Sequence, residues 1–168
     1  VDNYGSKYTG KNELTAGVIV NNLSKSDRYD NLNVRMLASE GVRFGRVVYS
    51  MPWGYNGDKI GMTASAMTYR LVEGETQGDG YSNTFGLTYS HPFIRTKEFN
   101  VNFTSDLQWK KYHNIANDAP TSDKKVVVAS GTLSMDSADT FNGGGMNAAS
   151  VTLTAGKLDL KGLTSNYT

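Results

Sequence analysis

Cysteine is absent from the 168 residues. That excludes disulfides and thiolate metal sites, and it suits a compartment where stray thiols would oxidise. Proline is scarce, at three residues. Net charge is nearly missing too: seventeen basic residues almost cancel sixteen acidic ones, which removes a global electrostatic case for nucleic acid. No long apolar run exists. The longest purely aliphatic stretch is Val126-Val127-Val128-Ala129, so no transmembrane helix is expected. The chain begins at Val1 without a signal peptide. For a protein of the cell envelope, that implies a processed chain or a fragment.

Signatures of chemistry are missing as well. His91 and His113 have no sequence neighbour at metal-ligand spacing. No Ser stands in a Gly-x-Ser-x-Gly elbow. Gly78-x-Gly80-x-x-Asn83 fails the dinucleotide pattern at its last position. Asp136 and Asp139 flank a turn, where solvated carboxylates are commoner than cation ligands. Asn102-Phe103-Thr104 matches a glycosylation sequon by coincidence. The chain is expected not to be an enzyme, with no cofactor and no metal.

What the sequence does hold is alternation. In Phe99–Lys110, Phe99, Val101, Phe103, Leu107 and Trp109 occupy alternate positions, broken only by Ser105. Asn100, Asn102, Thr104, Asp106, Gln108 and Lys110 occupy the others. A β-strand sends successive side chains to opposite faces, giving one apolar and one polar face. Twelve residues exceed the usual five or six of a strand and approach the ~9–11 of a tilted strand that crosses a bilayer. The low mean hydropathy is compatible with this, because only alternate residues of such a strand meet lipid.

The same plan recurs along the chain. Alternating apolar sets occur at 14–20, 32–38, 45–51, 60–66, 85–89, 127–135 and 149–155. Residues 1–13 read as a strand end running into a tight turn. Pro52 and Pro92 are expected to end their strands. Asn56-Gly57 is a hairpin signal, and Asn142-Gly-Gly-Gly145 marks another turn. Compact turns are expected near 22–30, 53–58, 93–98 and 139–145, with a short reversal at 39–41. Longer loops are expected at 71–83 and 112–123. The fold class is therefore all-β: a partial antiparallel transmembrane β-barrel of eight strands, plus the end of one before them.

Aromatics gather where strands end. Tyr49, Trp53, Tyr55, Tyr89 and Phe93 lie by the short turns, and Tyr69, Tyr81, Trp109 and Tyr112 by the long loops. Tyr49, Trp53, Tyr89 and Trp109 are the candidate membrane-interface aromatics. A tight reversal at 39–41 sets Arg35 opposite Arg46, on the inward parity shared by Asp106 and Lys110. These four are the candidate pore-facing residues. Opposed like charges need water or a counter-charge, and solvated arginines without a specific role are the plainer reading. Lys111 and Lys125 share the outward parity of Trp109 and Val127 and are candidate contacts for lipid phosphates. Solvated gatekeeper lysines are the equal alternative.

A family resemblance rests on these stretches. Asp2-Asn3-x-Gly5-Ser6-x-x-Thr9-Gly10 resembles the start of the barrel in two-partner secretion transporters, the haemolysin secretion/activation proteins. The likeness continues through Asn21-Asn22-Leu23, Tyr49-Ser50-x-Pro52, Tyr89-x-x-Pro92-Phe93, Thr121–Lys125 and Gly145-x-Asn147-x-x-Ser150-x-x-Leu153-Thr154-x-Gly156-x-Leu158-Asp159-Leu160. One departure is Asn22-Leu-Ser-Lys25, where the family has a Pro-Leu-Gly turn; it bears on the shape of that turn. The resemblance implies a sixteen-stranded barrel, of which residues 1–168 would form about eight to nine strands. It also implies periplasmic domains before residue 1, further barrel strands after residue 168 and a later inward loop. The implied function is export of a secreted partner protein across the outer membrane of a Gram-negative bacterium, in contact with outer-membrane lipid and not with nucleic acid. The alternatives are a barrel-assembly insertase of the same superfamily, a complete small barrel, or a soluble ligand-binding β-barrel or sandwich.

Overall fold

The computed structural model describes residues 12–24, 29–71, 78–116, 119–139 and 144–161. Eight strands follow one another: β1 Glu13–Asn21, β2 Asn31–Ser39, β3 Val42–Trp53, β4 Asp58–Arg70, β5 Gly78–Arg95, β6 Phe99–Ala116, β7 Ala119–Asp139 and β8 Gly145–Lys161. They form one antiparallel sheet in sequence order. The strand end expected before residue 13 lies outside the described residues.

The alternation explains why these segments are strands. Antiparallel partners lie on the same face, so register carries the parity of one strand to the next. The pairs Val18↔Val34, Val34↔Val47, Val47↔Ala64, Ala64↔Phe85, Phe85↔Trp109 and Trp109↔Val127 collect one apolar face. The other face is a hydrogen-bonded polar surface. Thr88 Oγ1 donates to Asp106 Oδ1 at 2.7 Å, Ser90 Oγ to Asn102 Oδ1 at 3.1 Å, and Asn100 Nδ2 to Asp136 Oδ2 at 2.8 Å. Among the described residues no apolar side chain is buried, although Val18, Met62, Leu87 and Leu153 are all exposed. The sheet is a single layer with no core of its own.

The apolar band crosses the register diagonally. On the rung that starts at Val18 it lasts to Val127 on β7 and yields to Lys157 on β8. The next rung begins apolar at Ala16 and Met36 and ends in Asn83, Lys111, Lys125 and Asp159. The opposite margin shifts the same way, from Val20 on β1 to Met135 on β7. A drift of about six residues over six strand steps, at ~3.3 Å per residue and ~4.8 Å per strand, gives a tilt of about 35°. Barrel strands tilt by roughly 35–45°.

Several expectations need correction. Pro52 and Pro92 do not end strands; β3 continues to Trp53 and β5 to Arg95. The β2–β3 pairing stops at Ser50 and the β4–β5 pairing at Ser90. Each proline therefore lies where one neighbour has already ended, so its missing N–H breaks little of the ladder. At Pro92 the register slips, and Phe93 bulges out between Pro92 and Ile94. The 53–58 turn is a four-residue connection with positive φ at Gly54 and Gly57, not a two-residue Asn-Gly turn.

The predicted long loops are largely strand. Gly78–Asn83 belong to β5, and 113–116 pair with 119–123 as extensions of β6 and β7. Only 117–118 separate those two strands. These extensions run past the apolar band and have no apolar alternation. Connections at this end span two, seven and two residues, against nine, four, three and five at the other. Connection length therefore does not separate the two ends; strand extension does. Most of the 139–145 turn lies outside the described residues.

Candidate pore wall and membrane rim

Arg35 and Arg46 are register partners on the polar face, as expected. The reversal that opposes them is tight: the Val42 amide donates to Ser39 Oγ at 3.0 Å. From Arg46 the rung continues through Ser65 and Thr84 to Lys110. Two short side chains between two long cations leave a depression of about 360 Å³, lined by Arg46, Asp106, Gln108 and Lys110 among others. Arg46 and Lys110 stand three strands, or about 14 Å, apart. Asp106 is the carboxylate of this depression and accepts from Thr88. Arg35 lies just beyond it. The face is not uniformly polar: Leu37, Phe44 and Met67 pair across β2, β3 and β4 on the same parity.

The aromatics at the strand ends divide by face. Tyr49, Trp53, Tyr89 and Trp109 all fall on the apolar parity, and Trp109 packs beside Phe85 with ring centroids 5.7 Å apart. Tyr81 shares that parity. Tyr69 and Tyr112 do not; they pair with Gly80 and Ser82 on the polar face. Tyr69 crosses Gly80 so closely that a Cβ there would stand 2.8 Å from its ring, and its hydroxyl donates to Asn114 Oδ1 at 3.2 Å.

Tyr49 has a second role that its sequence context did not reveal. Its hydroxyl donates to Asp30 Oδ2 at 2.7 Å. Asp30 is 1% exposed, the most buried side chain described. The Ser24 amide also donates to it at 3.2 Å, and the Asn22 amide donates to the Asp30 carbonyl at 2.6 Å. The Tyr49 hydroxyl, with help from Ser24, holds this carboxyl below its ordinary value of 3.8 against the opposing effect of burial. Asn22 adopts φ 56°, which supplies a left-handed residue where the resembled family has Pro-Leu-Gly.

Both histidines have carboxylate partners across strands. His91 Nδ1 pairs with Asp58 at one end of the sheet, and His113 Nδ1 with Asp123 at the other. His91 also meets the edge of Phe93 at 4.9 Å, and His113 stacks on Tyr81 at 5.1 Å. These partners lie 33 and 10 residues away in sequence, beyond any spacing motif. No cluster of three or more metal-ligating side chains occurs among the described residues. Asp136 accepts from Asn100; the side chain of Asp139 lies outside the described residues.

Lys111 and Lys125 are register partners on the apolar parity, one rung beyond Trp109 and Val127. Lys111 Nζ lies 5.8 Å from the Tyr81 ring centroid. Below the two lysines, Phe85, Trp109 and Val127 line a shallow groove of about 340 Å³.

A one-layer antiparallel sheet, apolar on one face and polar on the other, with aromatics and charges at the band's edges, is a wall of a transmembrane β-barrel. Residues 1–156 match the model of the family described as haemolysin secretion/activation protein ShlB/FhaC/HecB. The chain belongs to this family, whose members are outer-membrane transporters of Gram-negative bacteria working with a secreted partner protein. The match sets aside the insertase alternative.

Over 105 residues the chain is 35% identical to the heme/hemopexin transporter protein HuxB of Haemophilus influenzae strain 86-028NP, and 34% identical to HuxB of strain Rd. The matched part is 60% of this chain and 18% of each relative, so the chain spans under a fifth of their length. In structure it is similar to CdiB from Escherichia coli, with a TM-score of 0.76 and 24% identity, over 93% of this chain and 30% of CdiB. At that identity the likeness speaks for the fold.

Proposed function

We propose that the chain forms part of the wall of an outer-membrane pore that exports a secreted partner polypeptide. The observation that carries this reading is an apolar face left exposed on a sheet without a buried apolar core among the described residues. Lipid on that face and water on the other satisfy both at once. A soluble sandwich would need a second layer to cover the same face. Arg35, Arg46, Asp106 and Lys110 then border the water of the pore. They supply a hydrated, cation-rich lining for an extended passenger, and transport needs no cofactor from this wall. Tyr49, Trp53 and Tyr89 anchor the periplasmic interface, and Trp109 the outer one.

The test is ion selectivity of the full-length protein in a planar bilayer. Reversing Arg46 and Lys110 together (Arg46→Glu, Lys110→Glu) is expected to shift the reversal potential in a salt gradient toward cations. Lys125→Glu, on the other face, is expected to leave it unchanged. An equal shift from both variants overturns the assignment of faces. Failure of the parent to release its partner into the medium overturns the export reading.

A further inference from the structure

We propose that Lys111 and Lys125 clamp a phosphate of a membrane glycolipid, one of whose acyl chains lies in the groove of Phe85, Trp109 and Val127. The proposal rests on the pore reading above, in which this face meets lipid at the outer leaflet. Its first support is an electrostatic conflict. Lys111 and Lys125 stand directly opposite each other on neighbouring strands, and opposed like charges destabilise a sheet. Neither ammonium is in an ion pair among the described residues, whose two ion pairs both belong to histidines.

The carboxylates nearby do not resolve the conflict. Asp123 is engaged by His113 and lies within the field of both lysines, but closes an ion pair with neither. Asp159 pairs in register with Lys125 from the far side, on β8, without closing an ion pair. Lys157 adds a third cation beside Val127. A doubly charged phosphate between Lys111 and Lys125 would turn their repulsion into two charge-assisted contacts.

The second support is the groove itself. Phe85, Trp109 and Val127 form its apolar wall, and Lys111 and Lys125 stand in the same lining. The rung order along β6 is Leu107, Trp109, Lys111: aliphatic, then an amphipathic aromatic, then a cation. That sequence matches the order acyl chain, ester region, phosphate in a leaflet. An inorganic anion would use the lysines and leave the groove empty. A phospholipid-like or glycolipid anchor uses both, so the occupant is a phosphorylated lipid.

The experiment uses the full-length protein in neutral detergent, with folding checked by heat-modifiable gel mobility. Bound lipid is counted by native mass spectrometry during titration with bisphosphorylated lipid A. Expected is saturable binding that weakens about 10- to 30-fold in Lys111→Ala/Lys125→Ala, from roughly 1 kcal/mol for each lysine. Removal of both phosphates from the lipid is expected to weaken it similarly, and the double Arg variant to retain it. Millimolar inorganic phosphate is expected not to displace the lipid. Should the double Ala variant misfold, Lys111→Gln and Lys125→Gln singly are each expected to show a partial loss.

Undiminished binding by the folded lysine variants, equal binding of dephosphorylated lipid, or displacement by inorganic phosphate overturns the proposal. Insertion into phosphatidylcholine vesicles separates the two readings. A parent that does not insert removes the pore reading and this site with it. A parent that inserts and conducts, with lysine variants that bind lipid A as before, removes only this site.

Discussion

Asp30 shows how much of a strand connection can rest on one carboxylate. It receives the Tyr49 hydroxyl from β3 and the Ser24 amide from its own connection, and so ties β3 to the β1–β2 end of the sheet. Its carboxyl titrates below 3.8 in the folded state. A lowered value contributes stability that is present above the unfolded carboxyl's ordinary value and is lost as pH falls through the folded one. Tyr49→Phe removes the main cause of the shift. At pH 7 this variant is expected to lose its folded gel mobility at a lower temperature than the parent. Below about pH 4 the difference is expected to shrink, closing only as pH falls through the parent's lowered Asp30 value, where protonated Asp30 no longer rewards the donor. A difference that stays constant down to pH 2 would falsify the role given to this bond. Nothing in the sequence marked Asp30: a carboxylate beside a turn has the same appearance whether solvated or buried, and its partner lies 19 residues ahead. The His91–Asp58 and His113–Asp123 pairs escaped notice for the same reason, since only register brings them together.

At the scale of the strand, legibility followed the solvent. In the pore reading, where lipid covers one face and water the other, each side chain reports its face. β6 could therefore be read residue by residue from Phe99 to Lys110. Past the band the alternation stops. The extensions at Tyr112–Ala116 and Ala119–Asp123 accordingly read as loop although they are paired strand. The pairing of Arg35 with Arg46 was legible because only two residues separate β2 from β3. A strand-scale test follows from the faces of β6. Leu107→Arg puts a charge among Leu87, Met62 and Ala129 on the apolar face and is expected to cost about 2–4 kcal/mol if near mid-bilayer. Thr104→Arg enters the polar face and is expected to be tolerated. Reversible unfolding in lipid vesicles measures both, and equal costs would remove the distinction between the faces.

Taken whole, the described sheet has two edges, β1 and β8, each hydrogen-bonded to one neighbour only. Unpaired backbone groups at an edge have no partner in hydrocarbon. The 168-residue chain by itself is therefore expected to aggregate, to dimerise through its edges, or to curl without closing. Size-exclusion chromatography with light scattering in detergent, followed by bilayer recording, decides the matter. A monodisperse, ion-conducting monomer would mean that β1 and β8 meet and that a complete small barrel is the right description.

The diagonal course of the apolar band sets a rule for strand alignment. A slip of one residue between neighbours turns every side chain to the wrong face, which any two-faced sheet forbids. A slip of two keeps the faces correct, so alternation alone does not prevent it. In a tilted sheet, however, that slip also slides the strand about 7 Å along its axis. For β6 the slide would bring Lys111 to the place of Trp109 and move a cation toward hydrocarbon, at a cost that grows with depth. In the pore reading the membrane thus acts as a ruler laid obliquely across the ladder. It rejects the even misalignments that the chain's own binary pattern would accept.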